Sequence, residues 1–324
     1  MGPPSNASLL SSHARFASKW RMEQAMRFLA AILARAGVRI AVAVLVLACT
    51  LPAAAQRFDR GLLWRVEGSA APASHVFGTL HLADPRVIQL PEPVTKALAQ
   101  ARSLTVEVGL DPSTFLALAN RMLYLDGRDL PGAVGAELYE KAAALTGKLG
   151  LPEPAVRLFK PWALALLLSV PPQNPEEVLD AVLARTARAQ GKPVHELETL
   201  EEQVAIFDGM PEADQVMLLR RAVAEYEQVA RLIGRMVEVW LARDLAGLRR
   251  IGEEAAGGGA EAKRLYETFT RRLLTERNVR MAARMQARLK EGGAFLAVGA
   301  LHLHGESGVL AELERRGWKV TRVY

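Results

Sequence analysis

Two segments near opposite ends of the chain repeat one pattern. Val76-Phe77-Gly78-Thr79-Leu80-His81-Leu82 and Ala297-Val298-Gly299-Ala300-Leu301-His302-Leu303 both read G-x-L-H-L, each closing an apolar run. A glycine at the end of a strand lets the backbone turn sharply or approach a ligand closely. A histidine three residues on then projects over the strand's carboxyl end, where open α/β sheets place their sites. If the two strands are neighbours, the two imidazoles converge. Glu107 supplies a third group. In Leu104-Thr105-Val106-Glu107-Val108 the alternation puts Leu104, Val106 and Val108 on one face and Glu107 on the other. A buried carboxylate is costly unless it is paired or bound to a cation. Two imidazoles and one carboxylate, with positions left for water, suit a divalent transition metal. The same spacing also fits a plainer arrangement: two hydrogen-bonded strand-end histidines and a sheet-edge ion pair.

The remaining reactive residues add little. Cys49 is the only cysteine, so thiolate ligands and disulfides have no place in the rest of the chain. That leaves imidazole and carboxylate, and so Mn²⁺, Co²⁺, Fe²⁺ or Zn²⁺. His75 reads as a strand surface residue, His195 as a residue before a turn, and His304 as part of an exposed loop. There is no H-E-x-x-H. Gly305-Glu306-Ser307-Gly308 lacks one residue of the serine-hydrolase elbow, and Ser307 fits better as the cap of the next helix.

The elements that must hold these groups follow from periodicity. Short strand signals lie at 62–67, 74–79, 104–109, 294–299 and 318–323, with helical spacing over 90–101. From about 112 to 291 the chain reads as helix after helix. Asn174-Pro175-Glu176-Glu177 is a helix start, and Thr199 to Glu202 fits a capping box. A long amphipathic stretch covers 211–243, a Gly257-Gly258-Gly259 break follows, and another helix runs from 260 to about 290. The last helix, about 307–316, stops at Gly317. The expected fold class is mixed α/β: a central sheet built from N- and C-terminal strands, with a large helical insertion between them.

Charge places the leader. The 324 residues carry a formal charge of +6, but residues 1–55 hold six Lys+Arg against Glu23 alone, leaving 35 basic and 34 acidic side chains over 56–324. A nearly neutral body has no basic excess for phosphate, which argues against nucleic acid as a partner. Arg35 and Arg39 precede the apolar run Ile40–Leu51, and Ala53-Ala54-Ala55 follows. This is the layout of a signal peptide with an extended n-region, cleaved after Ala55, leaving one domain over 56–324. Export to the periplasm or outside the cell is expected. Membrane attachment arises only if the leader stays uncleaved or is lipid-anchored at Cys49.

The motifs taken together resemble the TraB/GumN (TraB/PrgY/TIKI) family over roughly residues 60–324. They are Leu63-Trp64, Phe77-Gly78-Thr79-Leu80-His81, Asp84-Pro85-Arg86, Leu90-Pro91, Val106-Glu107-Val108 and Lys160-Pro161-Trp162. They continue through Gly191-Lys192-Pro193-Val194, Leu197-Glu198-Thr199-Leu200-Glu201-Glu202-Gln203, Glu276-Arg277-Asn278 and Val298-Gly299-Ala300-Leu301-His302. The resemblance implies paired G-x-x-H motifs and a strand glutamate at a metal or catalytic site, here His81, Glu107 and His302, with Gly78 and Gly299 beside them. It further implies motif positions for Glu198, Arg277 and Asn278, expected close to the centre as residues that support it or contact substrate. Animal members of the family are metal-dependent proteases, and one bacterial branch dampens peptide pheromones. Two classes of function follow. One is a metallohydrolase, most nearly peptidase-like, in which Glu107 ligates or acts as general base and Arg277 stabilises developing negative charge. The other is a non-catalytic periplasmic protein that binds or regulates a peptide or glycan.

Overall fold

The first strand is buried at all but its centre and its end. In β1 (Leu63–Glu67) Leu63, Trp64 and Val66 are buried and Arg65 is exposed. β2 (Ser74–Thr79) and β3 (Ser103–Val106) are buried almost throughout, as strands covered on both faces must be. β4 (Val194–Glu196) is short, β5 (Ala294–Gly299) is a continuous apolar run, and β6 (Lys319–Arg322) is largely exposed. This computed structural model describes residues 57–68, 70–109 and 112–324, so the expected leader lies outside the described residues.

The six strands form one mixed sheet in the order β4-β3-β5-β2-β1-β6. β5 pairs in parallel with both β2 and β3, and β3 pairs in parallel with β4. β1 is antiparallel to β2 and to β6. The expectation of a sheet drawn from both ends of the chain therefore holds, and its two echoing strands are direct neighbours. Helices cover the sheet. Leu98, Leu183, Met281, Met285 and Leu310 join Phe77, Phe295 and Leu296 in one buried cluster. A second cluster lies among helices alone, around Leu138, Leu164, Leu168 and Leu219. No helix among the described residues is long and apolar enough to cross a membrane.

Several expectations need correction. β3 ends at Val106, so Glu107 stands one residue beyond the strand. The helical stretch 112–291 is interrupted by β4, which the sequence reading passed over and which contains His195. The span 211–243 is two helices, Glu212–Glu225 and Val229–Leu241, separated by a 3-10 turn. The one expected near 260–290 is Ala260–Thr270 and Glu276–Glu291, joined through the π-helical turn Arg271–Thr275. Gly308, with no side-chain cap, starts the helix assigned to Ser307. His304 is not an exposed loop residue: its Nε2 lies 3.1 Å from Asp59 Oδ1 and most of its side chain is covered. The capping box at Thr199 and Glu202 is present with both of its hydrogen bonds.

Candidate functional site

The parallel pairing of β2 with β5 brings the two histidine motifs side by side, but not in equivalent positions. Gly78 pairs with Val298 and Thr79 with Gly299, so the motifs are offset by one residue. The chain then leaves the two strands differently. After β2 it continues without helix to His81. After β5 it enters the 3-10 turn Ala300–Leu303, which carries His302 inward. The side chain of His81 is therefore 57% exposed and that of His302 only 5%. Gly78 makes the inward turn possible. A Cβ on it would stand 2.8 Å from Leu303 Cδ1 and 3.0 Å from the Ala300 Cα.

Gly299 does something else. A Cβ built there would lie 3.4 Å from Glu107 Oε1, 3.4 Å from His81 Nε2 and 3.6 Å from His302 Cδ2. The two imidazoles and the carboxylate thus surround the bare α-carbon of one glycine. Its backbone N–H donates to Glu107 Oε1 at 2.6 Å. His302 Nε2 lies 3.6 Å from the same oxygen.

Each group is held from behind. His302 Nδ1 is 2.6 Å from Asn278 Oδ1, and Asn278 Nδ2 donates to the Ser307 carbonyl at 2.8 Å. That carbonyl can only accept, which fixes the amide and makes His302 Nδ1 the donor, leaving a lone pair on Nε2. Burial holds His302 down to a pKa of about 4, so it is neutral near pH 7. His81 Nδ1 is 2.7 Å from Asp180 Oδ2, and Thr79 Oγ1 donates to Asp180 Oδ1 at 2.9 Å. The Asp180 carboxylate raises His81 to about 9. Burial would raise Glu107, but His302, Arg277, His81 and the Gly299 N–H together hold it down at about 2.

Arg277 lies behind Glu107. Its Nη2 donates to Glu107 Oε2 and, at 2.6 Å, to Glu198 Oε2, its Nε donates to Glu198 Oε2 at 2.9 Å, and Nη1 donates to the Leu273 carbonyl. Glu198 also accepts from Arg280 at 2.7 Å. Along the helix Glu276–Glu291 the residues Arg277, Arg280 and Arg284 recur three and four apart, facing Glu107, Glu198 and Glu202 in turn. The two imidazoles and Glu107 are thus backed by a chain of ion pairs reaching the surface.

A cavity of about 300 Å³ opens at His81 and Glu107, walled by Val108, Pro175 and Val178 with Asp180 and Gln203. A larger groove, about 550 Å³ among Leu218, Tyr266 and Phe269, shares none of these residues. Asp180, Gln203 and Arg280 were not singled out from the sequence. Asp180 had a signal: it shares a buried helix face with Ala184 and Ala187, where an acid is out of place.

The donor set offers two imidazoles, each with Nδ1 engaged, and one ionised carboxylate; His81, raised to about 9, carries a proton on Nε2 near pH 7 that an arriving ion must displace. In particular, His302 Nε2 and Glu107 Oε1 face each other as two acceptors, an arrangement that a shared cation relieves. The spacing is wider than a coordination sphere, since among the described residues no three His, Cys, Asp or Glu stand close enough to hold one ion.

The sequence model of the TraB/PrgY/gumN family matches residues 62–322. The chain belongs to this family. Among its relatives is the uncharacterized protein YbaP of Shigella flexneri, 26% identical over 243 residues, 73% of this chain and 86% of that one. YbaP of Escherichia coli (strain K12) is 26% identical over 242 residues, 72% and 85% of the two chains. The metalloprotease TIKI1 of Danio rerio is 24% identical over 310 residues, covering 80% of this TraB/PrgY/gumN chain and 62% of its own length. No solved structure matches.

Proposed function

We propose that this chain is an exported metal-dependent hydrolase, peptidase-like, with its reaction centre at His81, Glu107 and His302. The observation that carries the reading is the convergence of two imidazoles and an ionised carboxylate on the bare Gly299 backbone, with His81 and Glu107 lining a cavity. Kinship with proteins named metalloproteases supports the peptidase class. His81, Glu107 and His302 would hold a divalent ion, which would supply Lewis-acid polarisation of a carbonyl and lower the pKa of a water.

The chain's own residues do the rest. Glu107 stays ionised beside Arg277, with both oxygens engaged, so its part is to hold the ion. The water oxygen bonds to the carbonyl carbon, the C–N bond breaks, and one water proton passes to the leaving amine. Arg277 has its donors turned to Glu107 and Glu198, so it acts through Glu107 as a positioning residue and does not bind the substrate's developing charge. His302, neutral and fixed by Asn278, offers its Nε2 lone pair. Val108, Pro175 and Val178 shape the approach.

The non-catalytic binding reading has one observation in its favour, the open spacing of the three donors. A peptide library incubated with the ion-free chain, with and without added Mn²⁺, Co²⁺ or Zn²⁺, separates the two. The hydrolase reading expects ion-stimulated cleavage that falls at least 100-fold in His81→Ala. Binding of peptides with no cleavage under any ion overturns it. Export is tested by sequencing the N-terminus of the native protein, which should begin at Gln56.

A further inference from the structure

The segment 173–180 wraps the loop that carries His81. Gln173 Oε1 accepts from the Ala83 N–H at 3.0 Å, and its Nε2 donates to the His81 carbonyl at 3.2 Å. The Leu179 N–H donates to the Leu82 carbonyl at 3.2 Å. Asp180 completes the set with one oxygen on His81 Nδ1 and the other on Thr79 Oγ1. One short stretch of the helical insertion therefore holds the backbone at and just after His81, the Thr79 side chain before it, and the imidazole itself. Asp180 is the member that touches the ring, and it is buried although the ring is not.

The two imidazoles are thereby set up differently. His302 sits in a closed pocket, and its ring is confined by packing as well as by Asn278. His81 is more than half exposed, and an exposed imidazole with no partner rotates and exchanges tautomers freely. A carboxylate can only accept, so Asp180 requires the proton on Nδ1 and leaves Nε2 to face Gly299. Thr79 pins the carboxylate from its far side and belongs to β2, the strand that leads to His81. The orientation of the ring is thus set by the strand through Asp180.

We propose that Asp180, with the 173–180 segment behind it, is the positioning residue of His81: it holds the imidazole in the Nδ1–H form with Nε2 directed at the centre shared with Glu107 and His302. The role rests on the reaction centre proposed above, since it matters only if Nε2 of His81 serves there. Asp180 lies in the cavity wall, but its two oxygens are turned to Thr79 and His81. Its removal frees the ring, and Asp180→Asn, which keeps an acceptor, restores most of the alignment, as Asn278 already does for His302.

The test compares wild type, Asp180→Asn and Asp180→Ala as full chains, in two readouts. Calorimetric titration of the ion-free proteins with Zn²⁺ should show a loss of affinity of about 10- to 100-fold in Asp180→Ala and a smaller loss in Asp180→Asn. Nitrogen-15 NMR at pH 10, where the imidazole is neutral, reads the tautomer directly, with the His81 signals assigned by their absence from His81→Gln. Wild type and Asp180→Asn should show the Nδ1–H form and Asp180→Ala the Nε2–H form. An unchanged tautomer in Asp180→Ala overturns the proposal, as does Zn²⁺ affinity within threefold of wild type. If wild type takes up no Zn²⁺, the reaction centre fails while the tautomer comparison still decides the role of Asp180. Should Asp180→Ala fold poorly, the Asp180→Asn spectrum carries the decision: loss of the Nδ1–H form there contradicts the role.

Discussion

His302 and Glu107 face each other with Nε2 3.6 Å from Oε1, and neither has a proton to offer the other. Asn278 has taken the imidazole proton to Nδ1, and Arg277 keeps the carboxylate ionised. Two buried acceptors in apposition are unfavourable unless something between them is positive or donates. The fold maintains this opposition through two consecutive residues of one helix, Arg277 and Asn278, while the Gly299 N–H donates to Glu107 Oε1, and it is on this opposition that the proposed cation rests.

The two glycines of the repeated motif should respond differently to alanine. At Gly78 a Cβ meets Leu303 and the Ala300 backbone at 3.0 Å or less, which costs about 1–3 kcal/mol in overpacking. At Gly299 the backbone is extended, with φ −53 and ψ 137, and the nearest atoms stand at ordinary contact distance. Gly299→Ala should change stability by no more than about 0.5 kcal/mol. It should nevertheless abolish ion binding, because the methyl occupies the centre. Urea unfolding and Zn²⁺ titration on both variants check this. A Gly299→Ala protein that binds Zn²⁺ normally would show that the centre lies elsewhere.

Arg277 is the counter-ion of two buried carboxylates. Arg277→Met should destabilise the fold by about 3–5 kcal/mol, because Glu107 and part of Glu198 are left uncompensated. Arg277→Lys should recover only part of that, since a point charge cannot span both carboxylates as the planar guanidinium does. Chemical denaturation measures both. A cost below about 1 kcal/mol for Arg277→Met would mean that solvent reaches Glu107.

Glu202 predicts a pH dependence. Bidentate hydrogen bonds from Arg284, followed by the Thr199 N–H, hold its carboxyl down at about 2, against an ordinary 4.5. A depressed carboxylate contributes its stability in full above the unfolded value and loses it as the pH falls through the folded one. Glu202→Gln should therefore cost about 1–2 kcal/mol at pH 7. The difference from wild type should shrink between pH 4.5 and 2. Unfolding curves for both proteins across that range test it, and a gap that persists unchanged at pH 2 would contradict the ion-pair account.

The sequence made the sheet legible because β2 and β5 are apolar runs that end in the same motif, and apolar runs of that length belong in covered parallel strands. β4 escaped because three half-exposed residues carry almost no periodicity. The neighbourhood of His81 and His302 was foreseeable from the echo, but the one-residue offset in register was not, since a shared motif does not say which residues pair across two strands. Arg277 and Asn278 were visible only as family motif positions. What they hold could not be read, because their partners Glu107, Glu198 and His302 lie from 24 to 170 residues away. Asp180 could have been found, as an acid on the apolar face of its helix.

The central claim is that His81, Glu107 and His302 form one ion site. Equilibrium dialysis of the ion-free chain against Zn²⁺ or Mn²⁺, followed by elemental analysis, tests it most directly. The account predicts one ion per chain for wild type and none for His302→Ala or Glu107→Ala at the same free-ion concentration. Uptake of no ion by wild type, or one ion retained in both variants, would contradict it.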